Sequence, residues 1–346
     1  MTSMRAIVLE GPRKVRVQEV PMPQIGTNQI LVQVKRCGIC GSDLHSYARG
    51  SRKVVSEISF AGGHELAGIV VDVGNTDSDF EIGDRVAFEP VDSCGSCDMC
   101  KTGLMQNCNN RKFTNQGLAE YIAVSSSRLH RVPENLSWEA AALAEPLAVV
   151  IHAVRESNTH WPRNVVIIGA GTVGLLGLIV AKQMGVGFIG VTARYQHQAD
   201  LAENLGANSV LLSTKSDTKS HIGVWLGDNQ IDTVFETVGG QQPVEQALNI
   251  VRGGGLVSLL GLTDQDIVLP MNSVVVREIT LSGSIFYGRP KSAEASDFSL
   301  ALRLLGSGGI PVDKLVTHVF SVDQAEEAFA AAADKRSGSV KVQVDF

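Results

Sequence analysis

The chain of 346 residues has no excess of positive charge and no long hydrophobic run. Its 30 lysines and arginines stand against 36 acidic residues, which gives a formal net charge of −6. This balance argues against a general nucleic-acid binder, because the neutralisation of phosphates supplies most of the affinity of such proteins. No apolar span of about 20 residues is flanked for a membrane, and no signal-peptide core follows Met1. We therefore expect a cytoplasmic protein that acts on small molecules and binds neither nucleic acid nor membrane.

Internal repeats and low-complexity segments are also missing, and cysteine is scarce. With 44% hydrophobic and 19% charged residues the chain is globular, and it is long enough for two domains because single cores stop growing near ~250 residues. The six cysteines stand at positions 37, 40, 94, 97, 100 and 108. Thiols stay reduced in the cytosol, so we interpret these cysteines as metal ligands or catalytic groups before disulfides.

Two styles of predicted secondary structure alternate along the chain. From Met4 to about Leu143, short β segments punctuated by glycine and proline show no sustained helical period, which indicates a barrel-like β domain. From Val165 the pattern is a strand–helix alternation that is typical of βαβ units on a parallel sheet. The last segments return to the first style. We predict an α/β protein with a β-barrel-type catalytic domain that contains both termini and an inserted Rossmann domain with a doubly wound parallel sheet. The predicted boundaries are residues 1–152 and 286–346 for the first domain and 153–285 for the second.

The second cysteine cluster has the spacing of a structural metal site. Four thiolates this close in sequence can surround Zn²⁺ tetrahedrally and leave no open position for a substrate. Free thiols and an iron–sulfur cluster are the alternatives, but no proline follows the last cysteine and no second such cluster is present. The predicted ligands of a structural zinc are Cys94, Cys97, Cys100 and Cys108, spaced C-x2-C-x2-C-x7-C.

A dinucleotide-binding fingerprint follows the first strand of the predicted Rossmann domain. The pattern G-x-G-x-x-G lies between a β run and an apolar helix. In this context the first glycine makes a tight turn, the second admits the pyrophosphate and the third lets helix and strand pack, while the helix N-terminus attracts the anion. The predicted cofactor-binding residues of this loop are Gly169, Gly171, Thr172, Val173 and Gly174.

The end of the next strand favours NADP(H) over NAD(H). An NAD site usually carries Asp or Glu here to bind the ribose hydroxyls. This sequence has Ala193-Arg194-Tyr195 instead. The Arg194 guanidinium can pair with a 2′-phosphate and stack on adenine. The alternative is a solvated arginine beside a cofactor bound without preference.

A second set of metal-binding residues is spread over the β domain. Cys40, His64 and either Glu65 or Glu145 supply one sulfur, one nitrogen and one oxygen, the mixed set of a catalytic zinc with an open coordination position. Taken alone, Cys37-x2-Cys40 also has the spacing of a redox pair or of half a zinc ribbon.

These motifs together resemble the zinc-dependent medium-chain dehydrogenases, particularly their polyol (sorbitol-type) branch, which have a GroES-like catalytic domain. The resemblance covers essentially the whole chain. The matching segments are Gly38–His45, Gly63–Glu65, Gly83–Val86, the four-cysteine cluster, Gly117–Tyr121, Glu145–Leu147 and Gly169–Gly174.

The resemblance implies roles for the residues of the first segment and their partners. Cys40 and His64 would ligate catalytic zinc, with Glu145 where alcohol dehydrogenases use a cysteine and Glu65 as a carboxylate that ligates directly or exchanges with water. Ser42 would take the substrate proton and His45 would end that relay. Two further residues complete the implied set, Asp43 as a carboxylate that orients a ligand and Cys37 as a buried bystander. Two zinc ions per chain, NADP(H) and a homodimer or homotetramer are expected.

Two segments depart from the pattern of the branch and bear on the substrate. The loop Tyr47–Ser59 carries Arg49, Arg52 and Lys53, which form either a solvated face or a site for an anionic sugar. The segment Phe286–Arg289 differs from the usual sequence of polyol dehydrogenases. The hypothesis is an oxidoreductase that interconverts a secondary alcohol of a polyol, sugar or cyclitol, phosphorylated or not, and its ketone by hydride transfer with NADP(H). The alternatives are a simple alcohol or threonine-type dehydrogenase and a non-catalytic NADP(H)-binding protein.

Overall fold

The computed structural model describes residues 3–50, 58–157, 164–213, 219–288 and 295–346. The chain forms two compact units, one from Met1–Ala148 with Tyr287–Phe346 and the other from Val149–Phe286. The two changes of unit therefore lie at 148/149 and 286/287, whereas the sequence placed them at 152/153 and 285/286.

Short strands dominate the N-terminal part of the first unit. In the third strand, Ile30, Val32 and Val34 are fully buried while Gln33 and Lys35 remain partly exposed, because successive side chains of a strand point to opposite faces. The strands are β1 (Ser3–Gly11), β2 (Lys14–Pro21), β3 (Gln29–Gly38), β4 (Glu65–Asp72), β5 (Arg85–Phe88), β6 (Val91–Asp92), β7 (Lys112–Phe113), β8 (Tyr121–Ser125) and β9 (Leu129–Arg131). The helices are α1 (Gly41–Arg49), α2 (Asp98–Lys101), α3 (Trp138–Ala141) and α4 (Ala144–Glu156), of which the last crosses into the second unit.

The second unit is a parallel sheet with strand–helix alternation. Its elements are β10 (Asn164–Ile168), α5 (Thr172–Gln183), β11 (Phe188–Ala193), α6 (Gln196–Leu205), β12 (Ser209–Leu212), α7 (Lys219–Leu226), β13 (Ile231–Glu236), α8 (Gln241–Ile250), β14 (Val251–Leu259), α9 (Met271–Val276) and β15 (Thr280–Gly283). The strand order is β12-β11-β10-β13-β14-β15, and every pair is parallel. This doubly wound order changes direction between β10 and β13, where such folds bind nucleotides. The predicted Rossmann sheet is confirmed.

The C-terminal part of the chain returns to the first unit. Its elements are α10 (Asp297–Gly306), α11 (Val312–Leu315), β16 (Val316–Ser321), α12 (Ala325–Ala333) and β17 (Lys341–Asp345). Strand β17 lies between β16 and β3 in a sheet of order β16-β17-β3-β4-β5-β9, and β8 also pairs with β3. The last strand of the chain thus lies next to the strand that leads into Cys40. The predicted barrel-type β unit with both ends of the chain is confirmed.

Helix α1 had no counterpart in the sequence prediction. It follows Cys40 directly, and Asp43 is its single buried residue. The Asp43 carboxylate accepts the backbone N–H of Cys40, which is the arrangement of a capping box. Leu44 and Tyr47, three residues apart, pack against the core but stay partly exposed, and two such positions in nine residues are too few for a search for helical periodicity to find the helix.

The core of the first unit lies between its sheet and α12. Phe329 is fully buried there beside Val342 and Val344 of β17. Over the described residues, no helix has both the length and the apolar character needed to cross a membrane.

Candidate functional site

Three side chains with metal-binding atoms meet where β3 ends and β4 begins. Cys40 caps α1 just after β3, and His64 and Glu65 stand at the start of β4. The two strands are antiparallel neighbours, with Gly38 opposite Glu65, so the end of one faces the beginning of the other. One ligand atom of each of the three residues lies within 4.8 Å of the others. His64 and Glu65 are buried, and Cys40 is partly exposed.

Two glycines make room for this arrangement. A Cβ on Gly38 would overlap Oε2 of Glu65, and one on Gly62 would overlap Oδ1 of Asp43. Gly62 also has a φ of 126°, a conformation that residues with a side chain rarely adopt. A larger residue at either position would displace a carboxylate of the site.

Asp43 holds the backbone on both sides of the cluster. Its fully buried carboxylate accepts the N–H of Cys40 at 3.0 Å and that of Gly63 at 3.4 Å, and Oδ1 is 3.6 Å from Nδ1 of His64. Burial raises the pKa of Asp43, an effect that the nearby imidazole opposes. For His64, burial disfavours the charged ring, but the negative charges of Asp43 and Cys40 outweigh it and raise the pKa.

Asn115 is a contact of His64 that sequence reasoning missed. Its Oδ1 lies 2.8 Å from Nδ1 of the imidazole. With Nδ1–H donating to this oxygen, the lone pair of Nε2 is available for a metal, and such a partner fixes both ring orientation and tautomer. Asn115 lies 51 residues from His64 in no recognisable motif, so the sequence carried no signal for the contact.

Lys341 is the second residue that the sequence did not reveal. Its buried ammonium forms an ion pair with Glu65 and donates to the carbonyl oxygen of Ile39 at 3.1 Å. Burial disfavours this charge, but the Glu65 carboxylate outweighs it, so the pKa of Lys341 is raised. The pair joins β17 to β4 across 276 positions of sequence, a distance that no local pattern spans.

Glu145, in the first turn of α4, is close to the cluster but outside its tightest part. The group within 4.8 Å contains Glu65 and not Glu145. Burial raises the pKa of Glu145 to about 7, an effect that the His64 charge opposes and the Glu65 carboxylate reinforces. The structure thus brings both candidate carboxylates near His64, with Glu65 the nearer to the two other ligands.

The remaining predicted residues of this region lie around α1. Ser42 is half-buried, whereas His45 and Arg49 are exposed, and no hydrogen bond joins Ser42 to His45. Cys37 is fully buried outside both cysteine-containing clusters, and burial raises its pKa. The basic positions Arg52 and Lys53, together with Arg289, lie outside the described residues.

The four cysteines predicted to hold a structural zinc lie in one lobe, residues 94–108, and form a second, separate cluster. The Sγ–Sγ distances are 3.5 Å for Cys94–Cys108 and Cys97–Cys100, 3.8 Å for Cys97–Cys108 and 4.0 Å for Cys94–Cys100. Tetrahedral Zn²⁺ with bonds of about 2.3 Å requires sulfur separations of roughly 3.8 Å, whereas a disulfide requires about 2.05 Å. The donor set therefore fits a zinc ion.

Backbone N–H groups of this lobe stabilise negative charge on its cysteine sulfurs. The N–H groups of Cys97 and Cys94 point at the sulfurs of Cys94 and Cys108, both at 3.4 Å. Backbone N–H groups of Ser96 and Cys97 lower the pKa of Cys94 to about 5, while burial raises that of Cys100 to about 11. A bound cation would favour the thiolate at all four positions.

The glycine-rich loop has the geometry of a dinucleotide site. Gly169 has a φ of 100°, and a Cβ on Gly174 would overlap the Gly169 carbonyl oxygen. At Gly171 a Cβ would meet no described atom within 4 Å, so the backbone there can be approached closely. Thr172 and Val173 open α5 directly after this glycine, which points the helix N-terminus at the open space.

The segment after β11 carries an exposed cation. Ala193 ends the strand and is buried, Arg194 is exposed, and its guanidinium carbon lies 5.7 Å from the ring centroid of Tyr195. No carboxylate of the described ranges forms an ion pair with Arg194. The position can therefore accept an anionic partner.

Known proteins are similar to this chain over nearly its whole length. The family models of the alcohol dehydrogenase GroES-like domain and of the zinc-binding dehydrogenases match residues 26–134 and 172–305. Sorbitol dehydrogenase of Bombyx mori is 33% identical over 99% of both chains. Galactitol-1-phosphate dehydrogenase from Escherichia coli has a TM-score of 0.89 at 27% identity, covering 99% of this chain and 100% of that chain. A zinc-binding dehydrogenase fold from Sinorhizobium meliloti, bound to NADP, has a TM-score of 0.87 at 29% identity over 100% of both chains.

Replacing Asn115 by leucine tests its contact with His64. We expect the affinity of the Cys40–His64–Glu65 site for zinc to fall by about 10- to 100-fold, because the imidazole loses the group that fixes its orientation. Competition with a chromogenic chelator measures this affinity. The exposed Asn249→Leu is the matched control, and equal affinities in the two variants would contradict the assignment.

Proposed function

Because the chain belongs to the zinc-dependent medium-chain dehydrogenases, in their polyol (sorbitol-type) branch, we propose that it interconverts a secondary alcohol of a polyol or sugar and its ketone with NADP(H). The observation that carries the proposal is the mixed sulfur, nitrogen and oxygen set of Cys40, His64 and Glu65. Three mixed protein ligands are typical of a catalytic zinc, which keeps one position for water or substrate. The four lobe cysteines form a closed set, which supports a second, structural zinc.

The residues around the first cluster suit the handling of a proton. When bound, zinc supplies a Lewis acid for the alcohol oxygen and the nicotinamide exchanges the hydride. Ser42 accepts the hydroxyl proton and His45 delivers it to solvent. Ser42 supports this order because it is half-buried and follows Cys40 by two residues. His45 is exposed and lies three residues further on, and residues three apart are neighbours on a helix.

The two carboxylates near His64 take different parts in this proposal. Glu65 is the oxygen ligand, supported by its place in the tight cluster and by Lys341, whose ammonium pairs with the carboxylate and holds it in position. Glu145 is assigned a different part, that of a buried hydrogen-bonding group for the substrate, and such a group favours a substrate with several hydroxyls over a simple alcohol. The sorbitol and galactitol-1-phosphate dehydrogenases among the similar proteins support the same substrate class.

Cysteine replacements separate the roles of the two metal clusters. Cys40→Ser is expected to abolish turnover and leave one zinc per chain, with thermal stability little changed. Cys97→Ser is expected to lower the melting temperature, because the lobe loses a ligand of its structural ion. Elemental analysis, steady-state rates and calorimetry measure these effects. The reverse pattern, with Cys97→Ser selectively inactive and Cys40→Ser selectively unstable, would overturn the division.

The preference for NADP(H) rests on Arg194. We expect a higher kcat/KM with NADP⁺ than with NAD⁺, since an exposed guanidinium that pairs with no carboxylate of the described ranges favours a 2′-phosphate. The NADP-bound structure from Sinorhizobium meliloti supports this choice. Arg194→Ala should reduce kcat/KM for NADP⁺ by about 10- to 100-fold, the range for one charge-assisted contact of 1.5–3 kcal/mol, and change that for NAD⁺ little. A wild-type kcat/KM for NAD⁺ equal to or above that for NADP⁺ would contradict the proposed preference for NADP(H).

A homodimer or homotetramer is also part of the proposal. Helix α9 exposes Met271, Val275 and Val276. The strand that follows it in the chain, β15, is the last strand in the order of its sheet. A sheet edge with neighbouring apolar side chains is a template for pairing with another chain.

Light scattering after size-exclusion chromatography tests this association. The wild type should elute as a multiple of one chain, and Val276→Lys should shift it toward the monomer. Val224→Lys places the same charge on another exposed valine and should leave the mass unchanged. A wild type with the mass of one chain would rule the oligomer out.

A further inference from the structure

Three loops meet at the carboxyl edge of the parallel sheet in the second unit. They follow β10, β13 and β14, which are neighbours in the sheet, and the first of them is the glycine-rich loop. Glu236, the last residue of β13, lies at their junction. Its carbonyl oxygen accepts the backbone N–H groups of Leu260 and Gly261 at 2.8 and 3.0 Å, so it holds the loop after β14. None of the sequence motifs includes this residue.

The Glu236 side chain shapes the loop that follows β13. Its Oε1 accepts the backbone N–H groups of Val238 at 2.7 Å and of Gly239 at 2.8 Å, which holds both residues close to the end of the strand. The side chain is fully buried, and Oε2 has no hydrogen-bond partner among the residues that the structure describes. A buried acceptor without a partner costs folding energy. The carboxyl group therefore shapes this loop at a cost in stability, which is typical of functional sites.

Thr237 joins this loop to the glycine-rich loop. Its hydroxyl donates to the carbonyl oxygen of Ile168 at 2.8 Å and lies 3.3 Å from that of Gly169, and its backbone N–H donates to Ile168 at 3.1 Å. A Cβ on Gly169 or on Gly174 would lie 2.9 or 3.2 Å from the same hydroxyl oxygen. The first and third glycines of the fingerprint thus leave room for Thr237 as well as for the packing of helix against strand.

Val238 packs on the same turn of the glycine-rich loop. A Cβ on Gly169 would come within 2.5 Å of its Cγ2, so the absence of a side chain on Gly169 makes this contact possible. Two consecutive residues of the loop after β13 therefore contact the turn that receives the pyrophosphate in a dinucleotide site.

We propose that Glu236 and Thr237 are positioning residues of the dinucleotide site. The inference rests on the proposed function and concerns the pyrophosphate, which NADP(H) and NAD(H) share. Glu236 shapes the loop after β13, and Thr237 fixes the glycine-rich loop against it. The backbone N–H groups at the start of α5 are thereby held in place before the anion binds. Donors that are already in place lose less conformational entropy on binding, which raises affinity.

Thr237→Val tests the link between the two loops, because valine keeps the shape of threonine and lacks the hydroxyl. We expect the Kd of NADPH and that of NADH to rise by the same factor, about tenfold, as for one lost hydrogen bond, with zinc content unchanged. Titration of the full-length, zinc-loaded protein, followed by nicotinamide fluorescence, measures both constants. Thr233→Val is the matched control and should change neither, because the buried Thr233 hydroxyl in the same strand has no hydrogen-bond partner in the described part of the chain.

Replacements of Glu236 separate the shaping of the loop from the stability of the fold. Glu236→Gln keeps an oxygen that accepts both N–H groups and should bind NADPH like the wild type. Glu236→Leu leaves these donors unpaired and should weaken the binding of both cofactors by about tenfold or more. A melting temperature that falls in Glu236→Leu while Kd stays constant would show a structural role only and would overturn the proposal. Equally weak binding by Glu236→Gln and Glu236→Leu would also overturn it.

Two further results would contradict the positioning role. One is equal Kd values in Thr237→Val and Thr233→Val, and the other is a loss confined to NADPH, which would point to the 2′-phosphate and Arg194. A wild type that binds neither NADPH nor NADH would defeat the proposed function separately. Hydrogen–deuterium exchange of the free protein then decides the link between the loops: faster exchange of residues 169–174 in Thr237→Val than in Thr233→Val supports it, and equal exchange overturns it.

Discussion

The antiparallel pairing of β3 with β4 is the constraint on which the candidate site depends. It sets Gly38 opposite Glu65 and thereby brings the end of one strand, with Cys40, to the beginning of the other, with His64. Asp43 then accepts N–H groups from both sides. Because β17 lies along the other edge of β3, the Lys341–Glu65 ion pair connects the last strand of the chain to the same point. The geometry of the site is a consequence of strand order.

The donor atoms of the two clusters indicate different roles for them. Four sulfurs at tetrahedral separations close the coordination of a zinc ion, so the lobe suits a structural role. Cys40, His64 and a carboxylate provide three mixed donors and leave room for another ligand. Two carboxylates are candidates for the oxygen position, and Glu65 is the one that lies in the tight cluster, where it also pairs with the ammonium of Lys341.

Local patterns predicted most of the fold, and contacts between distant segments account for what was missed. The parallel sheet and the four-cysteine cluster could be anticipated because alternation, glycine spacing and cysteine spacing are local patterns. The Cys40–His64–Glu65 set is spread along the chain, and the resemblance to a known family supplied the roles of its members. Helix α1 was missed because its nine residues carry only two large apolar side chains at helical spacing, Leu44 and Tyr47. Asn115 and Lys341 were missed because their partners are 51 and 276 residues away, and no motif marks such pairs without the folded chain.

X-ray absorption spectroscopy at the zinc edge tests the central claim, that one closed and one mixed zinc site coexist in the chain. Four sulfurs at the lobe and one at the Cys40 cluster predict a mean of two and a half sulfur ligands per zinc, at about 2.3 Å, with nitrogen or oxygen at about 2.0–2.2 Å completing the shell. A mean of four sulfurs, with no lighter ligands, would show that only the lobe binds zinc and would contradict the account.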